Sequence, residues 1–187
     1  MSNSGYLTNH LLIAMPTLAD QNFSRAVTYL CEHNEDGALG IIINRPGDIT
    51  LEEILRQMNI ETDDPQIAGR RAYQGGPVSP ERGFVLHGDD SQWEATLRVT
   101  PDTAISSSRD ILEAIAAGRG PRDYLVALGY AGWGAGQLDD EMRDNAWLSV
   151  PAQHDVLFHT PDTQRWQAAT QLLGIDPARL SGDAGHA

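Results

Sequence analysis

The chain has 187 residues with 26 acidic and 13 basic side chains, every basic one an arginine, so its formal net charge at pH 7 is −13. This charge, without any basic stretch, disfavours direct binding to a nucleic-acid backbone. No apolar run approaches the ~20 residues of a membrane-spanning helix, and the single cysteine excludes an intramolecular disulfide.

The length and composition predict one cytoplasmic globular domain. Hydrophobic residues make up 41% of the chain, which suits an α/β or α+β protein. The N-terminal segment has neither the basic start nor the small-residue cleavage site of a signal peptide, and one free cysteine fits a reducing compartment. We place the domain at residues 3–180 and expect the small, polar residues 181–187 to be disordered.

The first part of the chain predicts three strands. Residues 10–15 are apolar and are followed by Pro16, and residues 20–25 predict a helical turn. Residues 26–33 and 38–44 are apolar on either side of turn-forming residues. This arrangement predicts a β-hairpin.

Two capping patterns predict helices in the middle of the chain. Thr50 and Glu53 have the spacing of a capping box, which predicts a helix as far as about Met58. Ser107 with Asp110 resembles a second cap, before a helical apolar stripe that ends at a glycine.

The segments between these helices predict loops and strands. Residues 61–71 are polar and contain a proline, so they predict a surface loop. Residues 75–78 have the composition of a sharp turn. Strands are predicted at 83–87 and 94–99.

Residues 125–147 are the most distinctive stretch of the sequence. An apolar run at 125–128 predicts a strand buried on both faces, and residues 137–145 predict a short acidic helix. Between them lie four glycines: Gly129, Gly132, Gly134 and Gly136. Such a turn can aim backbone N–H groups at a ligand. The alternative is a tight turn packed by Trp133 and Trp147.

The C-terminal part predicts one strand and one helix. Residues 155–159 form a short apolar run that predicts a last strand. Thr160 and Pro161 then have the types favoured at the N-cap and first position of a helix, which Gly174 ends.

Cys31 and His33 are the candidate catalytic residues. On a regular strand, residues two apart project to the same face, so the two side chains would lie close together. A protonated imidazole would favour the thiolate and make Cys31 a nucleophile or redox sensor. The alternative is a buried cysteine that packs as a small hydrophobic residue.

A second set of candidates could bind an anion, because arginines and glycine turns can grip a carboxylate or phosphate. These ligand-binding candidates are Asn44, Arg45, Gly75, Gly76, Arg82, Trp133, Gly134, Gly136 and Gln137. Two alternatives stay open. The arginines could serve only as structural ion pairs, and Trp133 could be exposed or buried in the core.

The usual motifs of cofactor and metal chemistry are absent from the sequence. There is no GxSxG, Walker A, HExxH or CxxC pattern, and the glycines at 132–136 lack dinucleotide-loop spacing. His33, His87, His154 and His159 are too scattered along the chain to suggest a zinc site. We therefore expect no metal and no cofactor.

Six separated segments of the chain resemble the AlgH/YqgE family of bacterial proteins. They are LIAMPTLADQNFSRAVTYLCEHNEDGALGIIINRP, YQGGPVSPERGFVLH, SSRDILEAIAAGRGP, LGYAGWGAGQL, NAWLSVPA and LFHTPDTQRW, and the likeness spans residues 6–175. The resemblance implies a cytosolic, single-domain α+β protein with a mixed, bifurcated β-sheet flanked by helices. It implies no known reaction, because the family's molecular function is uncharacterised, and its association with transcriptional control has no established mechanism.

Three functional hypotheses follow. The first is a non-enzymatic protein that binds a small anionic ligand or a protein partner and influences gene expression indirectly. The second is a redox switch or enzyme centred on Cys31 and His33. The third is a DNA-binding transcriptional regulator, which the net charge disfavours. None of them involves a membrane.

Overall fold

The computed structural model describes residues 6–15, 25–88 and 91–174. Within these ranges ten strands form one curled sheet. The strands are β1 (His10–Ala14), β2 (Val27–Asn34), β3 (Gly37–Ile42), β4 (Pro46–Thr50), β5 (Arg71–Gln74), β6 (Val78–His87), β7 (Thr96–Thr100), β8 (Thr103–Ser106), β9 (Tyr124–Trp133) and β10 (Trp147–Pro151). The helices are α1 (Leu51–Gln57), α2 (Pro65–Ala68), α3 (Arg109–Ala116), α4 (Gln137–Arg143), a π-helix (Asp155–His159) and α5 (Asp162–Leu172).

The sheet is mixed and branches at β9. Its main path runs β10-β1-β2-β3-β9-β6-β8-β7, and β4 and β5 lie off this path. Strand β9 pairs antiparallel with β3 and β6 but parallel with β5. The α+β class with a mixed, bifurcated sheet, which the family resemblance implied, is therefore confirmed.

Close backbone contacts explain the glycines at this branch. Gly75 inserts between two strands: its N–H donates to the Leu128 carbonyl at 2.8 Å, and its own carbonyl accepts from Ile42 N–H at 2.8 Å. Gly129 has φ +78°, and a Cβ there would lie 2.4 Å from the Gly76 carbonyl oxygen. Only glycine fits where the backbones approach this closely.

Three hydrophobic clusters fill the two sides of the sheet. Along β1, Leu11 and Ile13 enter the cluster that also packs against α5, while Leu12 and Ala14 enter the cluster next to α4. This alternation is that of a strand buried on both faces. The third cluster joins α1 and α3 to the β6–β9 region. In the described ranges, no helix has the length and apolar character needed to cross a membrane.

The predicted capping box at the start of α1 is confirmed. The Thr50 side chain accepts from the Glu53 N–H at 3.4 Å, and the Glu53 carboxylate accepts from the Thr50 N–H at 3.2 Å. The second cap is shifted by one residue, because Ser108 rather than Ser107 precedes α3 and its hydroxyl donates to Asp110 at 2.5 Å instead of capping the helix. Pro161 rather than Thr160 precedes α5.

Several predicted elements were wrong. Residues 155–159 form a π-helix rather than a strand, since a short apolar run does not distinguish a strand from a buried helical turn. Strand β9 continues to Trp133, so the predicted glycine turn is confined to residues 134–136. The predicted loop at 61–71 contains α2. Residues 20–24 of the helical turn predicted at 20–25 lie outside the described residues, as does the boundary at 180.

Candidate functional site

An arginine-lined cleft of about 310 Å³ lies where β4, β5 and the start of β9 meet the π-helix and α5. Four arginines line it, together with two aspartates, two tyrosines and apolar residues. The arginines are Arg70, Arg71, Arg122 and Arg165. In a chain with a net charge of −13, this clustering of positive side chains is the most distinctive electrostatic feature of the described residues.

The pairing of two parallel strands explains why these arginines meet. Arg70 and Arg71 lie at the start of β5, and Arg122 lies two residues before β9. Parallel strands begin at the same edge of a sheet, and Tyr73 of β5 lies opposite Ala127 of β9. The adjacent residues Arg70 and Arg71 were visible in the sequence, but their meeting with Arg122 depends on the long-range pairing of β5 with β9. Arg165 lies inside a predicted helix, and its position there gave no indication of a binding site.

Arg165 is buried at the cleft, with only 3% of its surface exposed. Its Nε donates to the Val156 carbonyl at 3.2 Å, its Nη1 donates to the Ile43 carbonyl, and its guanidinium lies 5.3 Å from the centroid of the Tyr73 ring. Among the described residues its Nη2 makes no hydrogen bond and no carboxylate forms an ion pair with it. A guanidinium keeps its charge in proteins, so Arg165 is a buried cation without an ion-pair partner among the described residues.

The other three arginines are exposed at the cleft. Arg70 lies over the Tyr124 ring, 4.3 Å from its centroid, and its Nη1 donates to the Tyr124 carbonyl at 3.2 Å. Arg71 donates from Nε to the Gly47 carbonyl at 2.9 Å and reaches Asp48 at 3.4 Å. Arg122 makes no hydrogen bond or ion pair within the part of the chain that the structure describes. Both Arg70 and Arg122 can therefore turn toward a bound anion.

The anion-binding residues expected around Asn44 lie apart from this cleft. Asn44 is structural, since its amide accepts from Val27 N–H at 2.9 Å and donates to the Arg25 carbonyl at 3.0 Å. Arg45 and Gly76 line a separate, largely apolar cavity of about 350 Å³. The Arg82 guanidinium lies 5.2 Å from the Phe84 ring centroid. Neither cavity is lined by Arg82.

The residues expected around Trp133 are engaged with one another. Trp133 is 7% exposed, and its indole and that of Trp147 both donate to one oxygen of Glu141, at 3.1 and 2.8 Å. Gln137 accepts from the Gly134 N–H at 3.0 Å and donates to Glu141 at 2.9 Å. Trp133 is thus a core residue, as the alternative interpretation held. Gly136, with φ +75°, precedes α4 and lines neither of the two cavities described above.

The geometry opposes thiol activation at Cys31. A β-bulge interrupts β2 between Leu30 and Glu32, so the regular alternation assumed for this strand does not hold. Cys31 packs in the cluster beside α5, and burial, reinforced by the charge of Glu32, raises the pKa of its thiol. His33 contacts other groups: its Nδ1 accepts from Leu7 N–H at 2.9 Å, and its Nε2 lies 3.4 Å from a carboxylate oxygen of Asp139.

One group of side chains in the described ranges has donors suited to a metal ion. Asp123, His154 and His159 place one ligand atom each within 4.8 Å of one another at the edge of the cleft. Partial burial raises the pKa of Asp123, but hydrogen bonds and charge from the two histidines lower it by more. The pKa of Asp123 therefore lies below its usual range. Hydrogen bonds to Asp155 and Asp123 raise the pKa of His159. The folded chain thus brings together two histidines that the sequence interpretation considered too scattered.

Comparisons with known proteins agree over nearly the whole chain. A family model described as AlgH-like matches residues 11–178. A UPF0301 protein of Nitrosococcus oceani is 54% identical over 187 residues, covering 100% of both chains, and one of Vibrio parahaemolyticus is 48% identical, covering 97% of this chain and 99% of the relative. The solution structure of the AlgH protein from Pseudomonas aeruginosa, 47% identical, superimposes with a TM-score of 0.83 over 100% of this chain and 99% of that one. A Corynebacterium diphtheriae protein, 20% identical, shares the fold with a TM-score of 0.71 over 91% of this chain and 89% of its own.

Proposed function

The chain belongs to the AlgH-like family, and from that premise and its arginine-lined cleft we propose that it binds a small anionic ligand. The observation that supports this most strongly is the buried guanidinium of Arg165, which forms no ion pair with any described carboxylate. The proposal concerns binding and assigns no reaction.

The buried charge of Arg165 is energetically costly without a partner. Removing an ion from water costs several kcal/mol even after relaxation, and an adjacent opposite charge offsets this cost. Two backbone carbonyls and the Tyr73 ring stabilise the Arg165 guanidinium in part, but its Nη2 remains available. A planar guanidinium is suited to gripping a carboxylate or phosphate with two parallel hydrogen bonds.

The exposed arginines favour the entry of an anion. Arg70 and Arg122 place two further positive charges on the cleft, which raises the local concentration of anions although the whole chain repels them. Asp123 and Asp162 also line the cleft, so the local excess of positive charge is moderate. The excess of four arginines over two aspartates favours ligands with two or more negative charges.

The volume of the cleft limits the size of the ligand. About 310 Å³ is at the lower end of the roughly 300–1,000 Å³ found for small-molecule sites. A phosphate-bearing or polycarboxylate metabolite fits this size and charge. A DNA duplex does not enter such a cleft. We propose that the protein influences gene expression, and that it does so through occupancy of the cleft rather than through contact with DNA. The single cysteine supports a cytoplasmic site of action.

Isothermal titration calorimetry on the full chain tests the proposal. The probes are pyrophosphate for the phosphate class and citrate for the carboxylate class. The cleft variant combines Arg70→Gln with Arg122→Gln. A control variant combines Arg56→Gln with Arg143→Gln, which also removes two positive charges but from exposed sites paired with Glu52 and Asp140.

We expect at least one probe to bind the wild-type protein saturably and to raise its melting temperature. Hydrogen bonds to charged groups contribute about 1.5–3 kcal/mol each, so the cleft variant should bind at least about tenfold more weakly. The control variant should bind as the wild type does. Absence of binding by both probes, or equal weakening in both variants, would contradict the proposal.

A further inference from the structure

Asp123, His154 and His159 form a compact triad of donor atoms. The Nε2 atoms of His154 and His159 lie 3.0 and 3.1 Å from the same carboxylate oxygen of Asp123. The two imidazole side chains are 39% and 50% exposed and the Asp123 side chain is 23% exposed, so an ion could reach the triad from solvent. This accessibility distinguishes the triad from a buried structural network.

The π-helix is the element that brings the two histidines together. Its hydrogen bonds run from residue i to i+5, so residues five apart stack on one side. His154 immediately precedes this helix and His159 ends it, which gives them that separation, and their rings lie 5.3 Å apart. In an extended strand, by contrast, residues five apart project to opposite faces.

The position of His154 is fixed by close packing. A Cβ at Gly88 would lie 2.5 Å from the Cε1 atom of His154 and 2.9 Å from the Phe158 ring. The Gly88 N–H also donates to the Asp123 carbonyl at 3.0 Å. Glycine at position 88 therefore allows the imidazole and the aspartate to approach one another.

Asp155 supplies the contact that commonly orients a metal-binding histidine. Its carboxylate lies 3.0 Å from Nδ1 of His159, on the side of the ring opposite the Nε2 that faces Asp123. A carboxylate at the second ring nitrogen fixes the tautomer and increases the basicity of the ligating nitrogen.

We propose that Asp123, His154 and His159 bind one divalent transition-metal ion of the zinc class. Two imidazoles and one carboxylate are donors that suit Zn²⁺, Co²⁺ or Ni²⁺, and three protein ligands leave a coordination position for another group. The site shares Asp123 with the arginine-lined cleft. The inference is independent of the proposed function, because metal binding is measured without any anionic ligand.

The experiment uses the full chain, freed of metal with a chelator, in a buffer without phosphate. Equilibrium dialysis against Zn²⁺ gives the stoichiometry and affinity, and the absorption spectrum with Co²⁺ reports ligand geometry. The ligand variants are His154→Gln and His159→Gln, and Gly88→Ala displaces His154. The matched control is His10→Gln, which alters a histidine outside the triad whose ring nitrogen lies 3.3 Å from the Thr8 carbonyl oxygen. Circular dichroism checks that each variant is folded.

We expect one Zn²⁺ per wild-type chain and a Co²⁺ visible spectrum. Loss of a supporting contact weakens metal sites about 10–100-fold, so each ligand variant should weaken binding by at least about tenfold. The His10→Gln protein should bind as the wild type does. Absence of stoichiometric Zn²⁺ binding by the wild type would overturn the proposal. So would folded ligand variants with undiminished affinity.

Discussion

At the scale of single residues, Arg165 and Cys31 are both buried, but the first keeps its charge and the second stays neutral. Arg165 is a fixed charge held by two backbone carbonyls and an aromatic ring, and its charge persists in the interior. Cys31 is a neutral thiol in an apolar cluster, where burial disfavours the thiolate. The first environment favours binding an anion, whereas the second disfavours nucleophilic chemistry.

We therefore expect Cys31 to resist alkylation in the folded protein. Cys31 is 2% exposed and burial raises the pKa of its thiol, so iodoacetamide at neutral pH should react slowly until the protein unfolds. The measurement is the rate of alkylation against pH, with and without denaturant. His33→Ala should leave the folded-state rate profile unchanged. A folded-state rate equal to that of a free thiol, or one that falls in the variant, would restore the thiol-based hypothesis.

The environments of single residues were left open by the sequence where they depend on distant parts of the chain. The sequence allowed Trp133 and Cys31 to be core residues, and that alternative is the one found. The β-bulge in β2 interrupts the alternation that would place Cys31 and His33 on one face of the strand. No residue type in this segment predicts such a bulge. The role of Arg165 depends on carbonyls of Ile43 and Val156, of which Ile43 is more than a hundred residues away.

At the scale of elements, α1 is a helix whose start depends on reciprocal hydrogen bonds. Thr50→Ala removes the side-chain acceptor for the Glu53 N–H and should lower the free energy of unfolding by about 0.5–2 kcal/mol. Thr50→Ser keeps the hydroxyl and should recover most of the loss. Urea denaturation measures both. An unchanged midpoint in Thr50→Ala at constant slope would show that the cap adds no stability.

The branch of the sheet at Gly129 gives a prediction with a close internal control. Gly129 and Gly118 have nearly the same φ, +78° and +76°, but a Cβ at Gly129 meets the Gly76 carbonyl at 2.4 Å while a Cβ at Gly118 meets nothing within 4 Å. Gly118→Ala should cost only the strain of a left-handed backbone, about 1–2 kcal/mol.

Gly129→Ala should cost several kcal/mol more than Gly118→Ala, because backbone at the branch must move to make room. Chemical denaturation of the two single variants gives the difference directly. Equal losses of stability would mean that the close approach of the strands at the branch is not maintained.

Elements with strong local signals were predicted, and those that depend on pairing were not. The hairpin of β2 and β3 and the helix α1 have turn and capping residues at the expected spacing. Strands β4, β5, β8 and β10 have four or five residues each and lack a clear apolar alternation. Their hydrogen bonds to neighbouring strands, rather than their own composition, keep them extended.

At the scale of the whole molecule, topology gives an acidic chain a local cluster of positive side chains. The parallel pairing of β5 with β9 collects arginines from two distant segments at one sheet edge. The family resemblance allowed a branched sheet to be predicted, but it gave no means of aligning β5 with β9. The candidate site was therefore assigned to Arg45 and Arg82 rather than to the arginines that line the cleft.

The charge distribution also predicts how the protein behaves toward DNA. The chain has 26 acidic residues against 13 arginines, four of which line a small cleft, so a phosphate backbone is repelled by the net charge of −13. In a gel-shift assay at about 0.15 M salt, the purified chain should form no sequence-dependent complex with duplex DNA. A sub-micromolar, sequence-dependent complex would instead favour direct regulation of transcription.

The most direct test of the anion-binding account observes the arginines themselves. In nuclear magnetic resonance spectra of the full chain, the guanidinium Nε–Hε signals of Arg70, Arg122 and Arg165 are followed while pyrophosphate or citrate is added. We predict that these three signals shift saturably with one common affinity, because one anion contacts them all. The signals of Arg56 and Arg143, which are exposed side chains paired with acidic neighbours on their own helices, should remain unchanged. Unchanged cleft signals with both anions, or equal shifts at all five arginines, would contradict the account.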